Sequence, residues 1–300
     1  MGPQSSLPPN FPKVIASRYN APMESISALF KEFAFHPRKS AGQNFLTDSK
    51  ILDQIDLVIQ CPSDDVLLEV GGGYGVLSER LAKKGFPLVI VEPDHKLFAM
   101  LERKFEKTPK ISLVKADILK LDINSYAPTS GKMTVAGNIP YYLTTPLITR
   151  LLTQNNSTVR RVYLMVQKEV AERMAAKPGT KAYGALTLCA QYYSVVKKLL
   201  DVPAKCFRPK PKVDSAFIEL EIRPSFPLSG EAEKHFFALV RAIFQSRRKM
   251  LSNSLKSLGK SMDQTQRALK LVNIQPDIRG EKLSLEELVG LSRALDSMEL

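Results

Sequence analysis

From residue 66 onwards, the chain alternates short apolar runs with longer stretches in which apolar residues recur at helical spacing. The short runs are typical of buried strands and the longer stretches of amphipathic helices. The predicted strands cover residues 66–70, 88–91, 111–114, 133–136 and 162–166, and the predicted helices cover residues 74–84, 96–105, 146–152 and 169–176. Strands that alternate with helices form a parallel sheet covered on both faces. The pattern therefore predicts an α/β fold with a doubly wound sheet.

The pattern changes near residue 213. Residues 213–222 alternate apolar and polar side chains, which predicts a half-exposed strand at or near the sheet edge, and prolines follow it. Beyond the prolines, the helical patterns cover residues 232–249, 251–258 and 283–295, without strands between them. We therefore expect a boundary near Pro224. The expected parts are a flexible extension over residues 1–22, rich in Pro, Ser and Asn, an α/β domain over 23–224 and a small all-helical domain over 225–300.

The charge of the chain adds an expectation about its partner. The 300 residues carry a net charge of +13, of which about +3 lies in the first half and about +10 in the second. Such an excess favours an anionic partner, although an ordinary solvated basic surface is the alternative. No apolar run approaches the roughly 20 residues of a membrane-spanning helix, so we expect no membrane association.

The cysteines and histidines are few and scattered. Cys61, Cys189 and Cys206 are widely spaced and odd in number, which favours a reducing compartment and a cytoplasmic protein. The three histidines have no metal-ligand spacing relative to one another or to the cysteines. We therefore predict no structural or catalytic metal.

A glycine-rich segment joins the first predicted strand to its helix, running from Glu69 through Gly71, Gly72 and Gly73 to Gly75. Glycine lets the backbone approach a nucleotide-like ligand, although a tight turn alone would also account for the segment. The next strand leads to Glu92, whose carboxylate can accept both ribose hydroxyls, and the third leads to Asp117, placed to bind an adenine amino group. A dinucleotide dehydrogenase would share the glycine segment and Glu92.

The fourth strand distinguishes between these enzymes, because it leads into Gly137-Asn138-Ile139-Pro140-Tyr141. This sequence has no evident role in hydride transfer, but it suits methylation of a planar amine. Adenine N6 is a poor nucleophile, since its lone pair is delocalised into the ring. An amide oxygen of Asn138 and a backbone carbonyl held by Pro140 would accept its protons, and Tyr141 could stack on the base. A simple turn at the end of the strand is the alternative interpretation.

The chain from about Met23 to Leu255 resembles the ribosomal RNA adenine dimethyltransferases. The resemblance rests on separated motifs: Gly42-Gln-Asn-Phe-Leu46, the glycine segment, Asn138-Ile-Pro-Tyr141, Gln167-Lys-Glu169, Lys181-Ala-Tyr-Gly184, Phe207-Arg-Pro-Lys-Pro-Lys-Val-Asp-Ser215 and Gln245-Ser-Arg-Arg-Lys249. It implies a Rossmann-like, S-adenosylmethionine-dependent enzyme that dimethylates N6 of two adjacent adenosines near the 3′ end of small-subunit (16S) rRNA. The implied partner is small-subunit rRNA within a pre-ribosomal subunit.

The resemblance also implies roles for individual residues. Cofactor contacts are expected at Asn44, Leu46, Gly71, Gly73, Glu92, Asp117 and Asn138. The base pocket is expected from Asn138, Tyr141 and Phe207, with Phe207 as the second face of a stacking sandwich. One departure is Gly72, where relatives often have proline or alanine, which suggests a looser loop.

Six basic residues without an acid between them predict phosphate contacts in the helical domain: Arg241, Arg247, Arg248, Lys249, Lys256 and Lys260. A solvated helix face is the alternative. Two further interpretations stay open for the whole chain: a large-subunit methylase of the erythromycin-resistance type, and a non-catalytic nucleic-acid-binding relative such as the mitochondrial transcription factors. The motifs at residues 181–184 and 207–215 argue against the first, and the intact glycine segment and Asn138 against the second. A monomer is the default expectation.

Overall fold

A computed structural model describes residues 26–38, 42–245, 247 and 249–298. The extension predicted over residues 1–22 lies outside these residues. The chain divides into two compact units, the first containing the residues up to Ala171 and Lys197–Ile222, and the second containing Glu172–Val196 and the residues from Arg223 onwards. In the described part of the chain, no helix is long and apolar enough to cross a membrane.

The single domain boundary predicted near Pro224 is incomplete. The second unit does resume at Arg223, but it also contains Glu172–Val196, which lies in the sequence between two segments of the first unit. The reason is aromatic packing within the second unit. Tyr192 stacks on Phe236 with 5.1 Å between ring centroids, and its hydroxyl donates to the Leu228 carbonyl at 2.8 Å. Contacts between residues so distant in sequence are not visible in a local pattern.

The strands agree with most of the predicted ones. They are β1 Phe45–Leu46, β2 Val66–Val70, β3 Leu88–Val91, β4 Ile111–Val114, β5 Met133–Asn138, β6 Val159–Gln167, β7 Ser194–Val202, β8 Phe207–Arg208 and β9 Ser215–Ile222. The patterns predicted β2, β3 and β4 with the bounds observed and missed β1, β7 and β8.

The helices include every predicted one, with shifted ends. They are α1 Ile26–Glu32, α2 Ser49–Val58, α3 Val76–Lys83, α4 His95–Phe105, α5 Tyr141–Thr153, α6 Lys168–Met174, α7 Ala185–Tyr193, α8 Glu231–Gln245, α9 Leu251–Lys256, α10 Met262–Leu271 and α11 Leu285–Asp296. The helix predicted up to residue 249 ends at Gln245. As predicted, the described residues after Ile222 contain helices and no strand.

The main sheet has seven strands in the order β4-β3-β2-β5-β6-β9-β7. β2 pairs in parallel with both β3 and β5, and the parallel pairing continues to β4 on one side and β6 on the other. The strand order therefore reverses at β2. In such sheets, ligands bind in the crevice at the carboxyl ends of the strands beside this reversal. The predicted doubly wound α/β fold is confirmed.

The strand predicted at or near the sheet edge, β9, is next to the edge strand β7, as predicted, but it is not half-exposed. It pairs antiparallel with β6, lies between β6 and β7, and is buried along nearly its whole length. Its alternating carboxylates are paired within the structure, because Glu219 accepts from the Tyr163 hydroxyl at 3.0 Å and forms ion pairs with Arg161 and Lys197. Partners of this kind reduce the cost of burying a charge.

Candidate active site

A cavity of about 380 Å³ opens beside the carboxyl ends of β2, β3 and β5. All the residues predicted from the sequence to bind the cofactor line it: Asn44, Leu46, Gly71, Gly73, Glu92, Asp117 and Asn138. They are far apart in the chain, but the carboxyl ends of parallel strands meet at one edge of a sheet. The fold therefore brings the predicted binding residues together around one cavity.

Glu92 is held by two backbone N–H groups. Gly73 N donates to Glu92 Oε2 and Asp94 N to Glu92 Oε1, both at 2.9 Å. Gly73 has φ +57°, a conformation that favours glycine, and so the turn can direct its N–H towards the carboxylate. Burial raises the pKa of Glu92, while these two hydrogen bonds oppose the shift. The carboxylate therefore has a fixed orientation at the cavity wall.

Gly72 does not give the loop free space. A Cβ atom at this position would lie 2.4 Å from Ile90 Cγ2 and 2.9 Å from Leu101 Cδ1. Side chains from β3 and α4 therefore occupy the volume that a larger residue would need. This close packing accounts for a glycine at position 72, and the expectation of a looser loop stays a prediction.

Asn138 is oriented by the segment that carries Asn44. Its Nδ2 donates to the Asn44 carbonyl oxygen at 3.1 Å. Only the amide nitrogen can make this bond, since the partner is an acceptor, and the assignment leaves Oδ1 as the acceptor of the side chain. The neighbouring Leu46 carbonyl accepts from the Tyr74 hydroxyl at 3.1 Å. The segment that contains Asn44 and the end of β5 are thus fixed relative to each other by a hydrogen bond.

Tyr141 begins α5 immediately after Pro140 and is half-buried. Its hydroxyl and Ser215 Oγ are 2.7 Å apart and share a hydrogen bond, and burial raises the pKa of the Tyr141 hydroxyl. Pro140 and Tyr142 line the cavity, whereas Tyr141 lies next to its lining residues in the chain.

Phe207 has a different environment from the one expected. Its side chain is fully buried and belongs to the same core as Leu46, Cys206 and Phe217. The cause is the short pairing of β8 with β1, in which Leu46 is opposite Phe207. The ring has no accessible face for a base in this structure, so the predicted stacking arrangement is not present. Phe207 instead supports the strand that places Leu46 at the cavity.

Comparison with known proteins identifies the family to which this site belongs. A family model described as ribosomal RNA adenine dimethylase matches residues 34–296. The chain belongs to this family. A ribosomal RNA small subunit methyltransferase A from Geobacillus thermodenitrificans is 41% identical over 276 residues, which are 89% of the chain and 94% of that relative. A protein of the same name from Clostridium acetobutylicum is 38% identical over 264 residues, 88% of the chain and 95% of that relative.

Solved structures agree with the dimethylase fold. The 23S rRNA methyltransferase ErmE has a TM-score of 0.67 and 26% identity, over 84% of this chain and 100% of that one. A dimethyladenosine transferase from Plasmodium falciparum has a TM-score of 0.74 and 24% identity, over 85% of this chain and 98% of that one. The second likeness concerns the fold alone.

Ribosomal RNA adenine dimethylases use S-adenosylmethionine, and the cavity residues fit this molecule. Glu92 can accept from both ribose hydroxyls, and the glycine loop allows the close approach of the backbone to the ligand. Asp117 Oδ1 accepts from Leu119 N at 3.0 Å, which orients the carboxylate at the cavity for an adenine amino group. The volume of about 380 Å³ lies within the range of small-molecule sites.

Glu69 is a cavity residue that was not among those predicted from the sequence. It lines the cavity and its Oε2 has no hydrogen-bond partner in the described part of the chain. Burial raises the pKa of Glu69 to about 8. The Ser78 hydroxyl and Lys104 oppose this rise, and the charge of Glu92 adds to it. A carboxylate within β2, whose residues are all buried, is the signal that could have identified it.

The basic segment of the second unit differs in part from the prediction. Arg247 forms an ion pair with Glu281 and donates from Nη1 and Nη2 to the carbonyls of Lys181 and Thr180 at 2.6 and 2.7 Å. An acid distant in the sequence therefore compensates one of the six charges. Arg241, Lys249 and Lys256 are exposed, and Arg248 lies outside the described residues.

Possible metal ligands do not cluster in the described part of the chain. No group of three or more His, Cys, Asp or Glu residues there could hold a metal ion. The absence of a metal stays a prediction.

Proposed function

We propose that this chain transfers methyl groups from S-adenosylmethionine to N6 of two adjacent adenosines near the 3′ end of small-subunit rRNA, within a pre-ribosomal subunit. The observation that carries the proposal is the orientation of Asn138. With Nδ2 bound to the Asn44 carbonyl at 3.1 Å, its amide oxygen is the group available to an amine at the end of β5. The relatives named small subunit methyltransferase A, at 41% and 38% identity, support the choice of substrate.

In this mechanism, Asn138 Oδ1 and the carbonyl before Pro140 accept the two protons of the adenine amine. These hydrogen bonds favour a pyramidal nitrogen, whose lone pair then points at the electrophile. S-adenosylmethionine supplies an electrophilic methyl group on its sulfonium when it is bound. Asn138 Oδ1 and the neighbouring carbonyl would hold N6 in position while it accepts the methyl group, and the extra proton on N6 would leave to water afterwards. Because the methyl group is already activated, alignment contributes more than a strong base would.

Tyr141 would support the target base. Its hydroxyl is tied to Ser215 at 2.7 Å, so its ring has a fixed position beside the cavity, and an aromatic ring held in this way can stack on an unstacked base. Phe207, which is fully buried, keeps its role behind Leu46 in this mechanism. Two rounds of transfer require a pocket with room for the monomethylated amine.

The helical unit would contact RNA phosphates through exposed side chains. Arg241, Lys249 and Lys256 are exposed, and the second half of the chain carries most of the net charge of +13. Arg248 and Lys260 belong to the same proposed surface by their positions in the sequence. Neutralising phosphates releases counterions and makes binding dependent on salt.

The proposal extends to the setting of the enzyme. We infer that the protein is cytoplasmic, because Cys61, Cys189 and Cys206 are all free thiols, as expected in a reducing compartment. We also infer that it acts as a monomer. The substrate itself can supply a large interface, so the site needs no second subunit.

The decisive experiment uses labelled S-adenosylmethionine with unmethylated small and large ribosomal subunits, followed by mapping of the modified bases. We expect label at N6 of two neighbouring adenosines in small-subunit rRNA. Label only in large-subunit rRNA would instead support the erythromycin-resistance type, to which the likeness to ErmE lends some weight. Binding to subunits without transfer of label would favour a non-catalytic relative.

A further inference from the structure

Tyr142 presents an aromatic ring to water at the cavity that holds the active site. Its side chain is 70% exposed, and it lines the cavity together with Asn138 and Pro140. Tyrosine combines a large apolar ring with a polar hydroxyl and is enriched at interfaces, and aromatic side chains commonly line ligand-binding cavities. This ring has no role in the proposed methyl transfer.

The two consecutive tyrosines have different surroundings because they occupy the first turn of α5, where neighbouring side chains point in different directions. Tyr141 bonds to Ser215 through its hydroxyl. Tyr142 lies close to Gly42, since a Cβ atom at Gly42 would be 3.7 Å from Tyr142 Cδ1. The loop before β1 therefore supports one part of the Tyr142 ring, while most of the ring stays accessible.

The substrate chemistry supplies a ligand for this ring. An adenosine must leave its stack for N6 to reach the site, and the neighbouring base then loses a stacking partner. A flat aromatic ring at the entrance can replace that partner, whatever the identity of the base. We propose that Tyr142 stacks on the nucleobase adjacent to the adenosine being methylated and thereby stabilises the bound RNA while that adenosine is out of its stack. This role rests on the proposed function.

The test compares Tyr142→Ala, Tyr142→Phe and Tyr142→Leu with the unaltered protein on unmethylated small subunits. The measurements are kcat and KM for the subunits, and the affinity for S-adenosylmethionine by calorimetry. We expect Tyr142→Ala to lower kcat/KM by roughly tenfold or more, the scale of removing one base–aromatic stack, mainly through KM. Tyr142→Phe should keep the kcat/KM of the unaltered protein because it keeps the flat ring, whereas Tyr142→Leu should lower it as Tyr142→Ala does. Cofactor affinity should be unchanged in all three.

Leu57→Ala is the matched control, because Leu57 is 77% exposed but lies on α2 and does not line the cavity. It should leave all three quantities unchanged. If Tyr142→Ala kept the kcat/KM of the unaltered protein, or if Tyr142→Leu restored activity as well as Tyr142→Phe, the stacking role would be overturned. A loss of cofactor affinity in Tyr142→Ala would overturn it too, by assigning the ring to the cofactor. Failure of the proposed function is distinguishable, because the unaltered protein would then leave small subunits unmethylated.

Discussion

Arg247 donates a hydrogen bond from Nη2 to the carbonyl oxygen of Thr180 at 2.7 Å, although 67 residues separate the two in the chain. Its Nη1 donates to the Lys181 carbonyl at 2.6 Å, and its Nε bonds to Glu281. The planar guanidinium suits several acceptors at once. In the second unit, Arg247 thus connects three segments that are distant in sequence, and a substitution there should act on folding.

Arg247→Gln should therefore destabilise the protein. It removes a charged group bonded to two carbonyls and a carboxylate, which corresponds to roughly 1–3 kcal/mol in the free energy of unfolding. Chemical denaturation measures this change. The matched control is Arg241→Gln, because Arg241 is exposed and its replacement should change stability by less than about 0.5 kcal/mol. Equal stability of the two variants would contradict the structural role of Arg247.

The exposed cations of the same unit should act on RNA binding alone. Arg241→Gln, Lys249→Gln and Lys256→Gln remove charges from exposed positions. For every phosphate that is no longer neutralised, the log–log dependence of binding on salt should flatten by roughly 0.7 to 0.9, with cofactor affinity unchanged. Binding to small subunits at several salt concentrations measures the slope. An unaltered slope in the triple variant, with its melting temperature preserved, would leave these residues as an ordinary solvated surface.

Asn138→Ala should act mainly on the chemical step. The substitution removes the amide oxygen that would accept from the amine, and the loss of one such preorganised group lowers turnover by on the order of a hundredfold. Asn138 also lines the cofactor cavity, so cofactor affinity should fall as well, but by less. Single-turnover rates on small subunits, beside calorimetry with the cofactor, separate the two effects. Near-normal turnover would remove Asn138 from the mechanism.

Gly72→Ala should destabilise the protein because the new Cβ atom would lie 2.4 Å from Ile90 Cγ2. Overpacking of this kind typically costs roughly 1–3 kcal/mol. In an Ile90→Ala background, which lacks Cγ2, the same substitution should cost less. Denaturation of the single and double variants measures the coupling. Costs that simply add would show that the contact with Ile90 does not limit position 72.

Glu69 should make stability depend on pH. Burial raises the pKa of Glu69 from 4.5 to about 8 in the folded protein, and so the folded state holds a proton that the unfolded state releases. Stability from this group is therefore greatest below pH 4.5 and falls as the pH rises towards 8. Glu69→Gln, which cannot ionise, should gain in melting temperature relative to the unaltered protein over that window.

Glu102→Gln is the control for this comparison, since Glu102 is exposed on α4. Thermal unfolding of both variants between about pH 4 and 9, a range that spans both states of the Glu69 carboxyl, provides the test. A difference between Glu69→Gln and the unaltered protein that stays constant with pH would show that the two states bind this proton equally.

The parts of the fold that depend on local patterns were predictable from sequence. β3 is apolar throughout and β2 is apolar except for Glu69, because both strands are buried on both faces, and their ends fall where the apolar runs end. Because these strands are parallel, Glu92 and Asp117, which follow β3 and β4, lie at the same edge of the sheet. β7, in contrast, is exposed or partly exposed at every position between its two ends, so its apolar signal is interrupted by charged residues and the pattern missed it.

The site was predictable where its residues follow strands and not where it depends on distant pairing. Asn44 and Leu46 were assigned through the family resemblance, because nothing local indicates that Asn44 accepts from Asn138. The two-residue pairing of Leu46 with Phe207 is also non-local, and it decides whether an aromatic ring faces a ligand or the core. Apolar character alone cannot distinguish these outcomes.

Because the second unit consists of two separate segments of the chain, one cut in the sequence cannot separate the two units as intact fragments. A fragment that stops at residue 224 would keep α7 but lose Phe226, Phe236 and Phe237, on which Tyr192 and Tyr193 pack. Two aromatic rings would then face water, and such a fragment should aggregate. A fragment that starts at residue 225 would in turn lack the rings that fill its interior. The second unit therefore cannot be exchanged between related proteins at a single junction, because a chimaera must also contain residues 172–196 of the same protein.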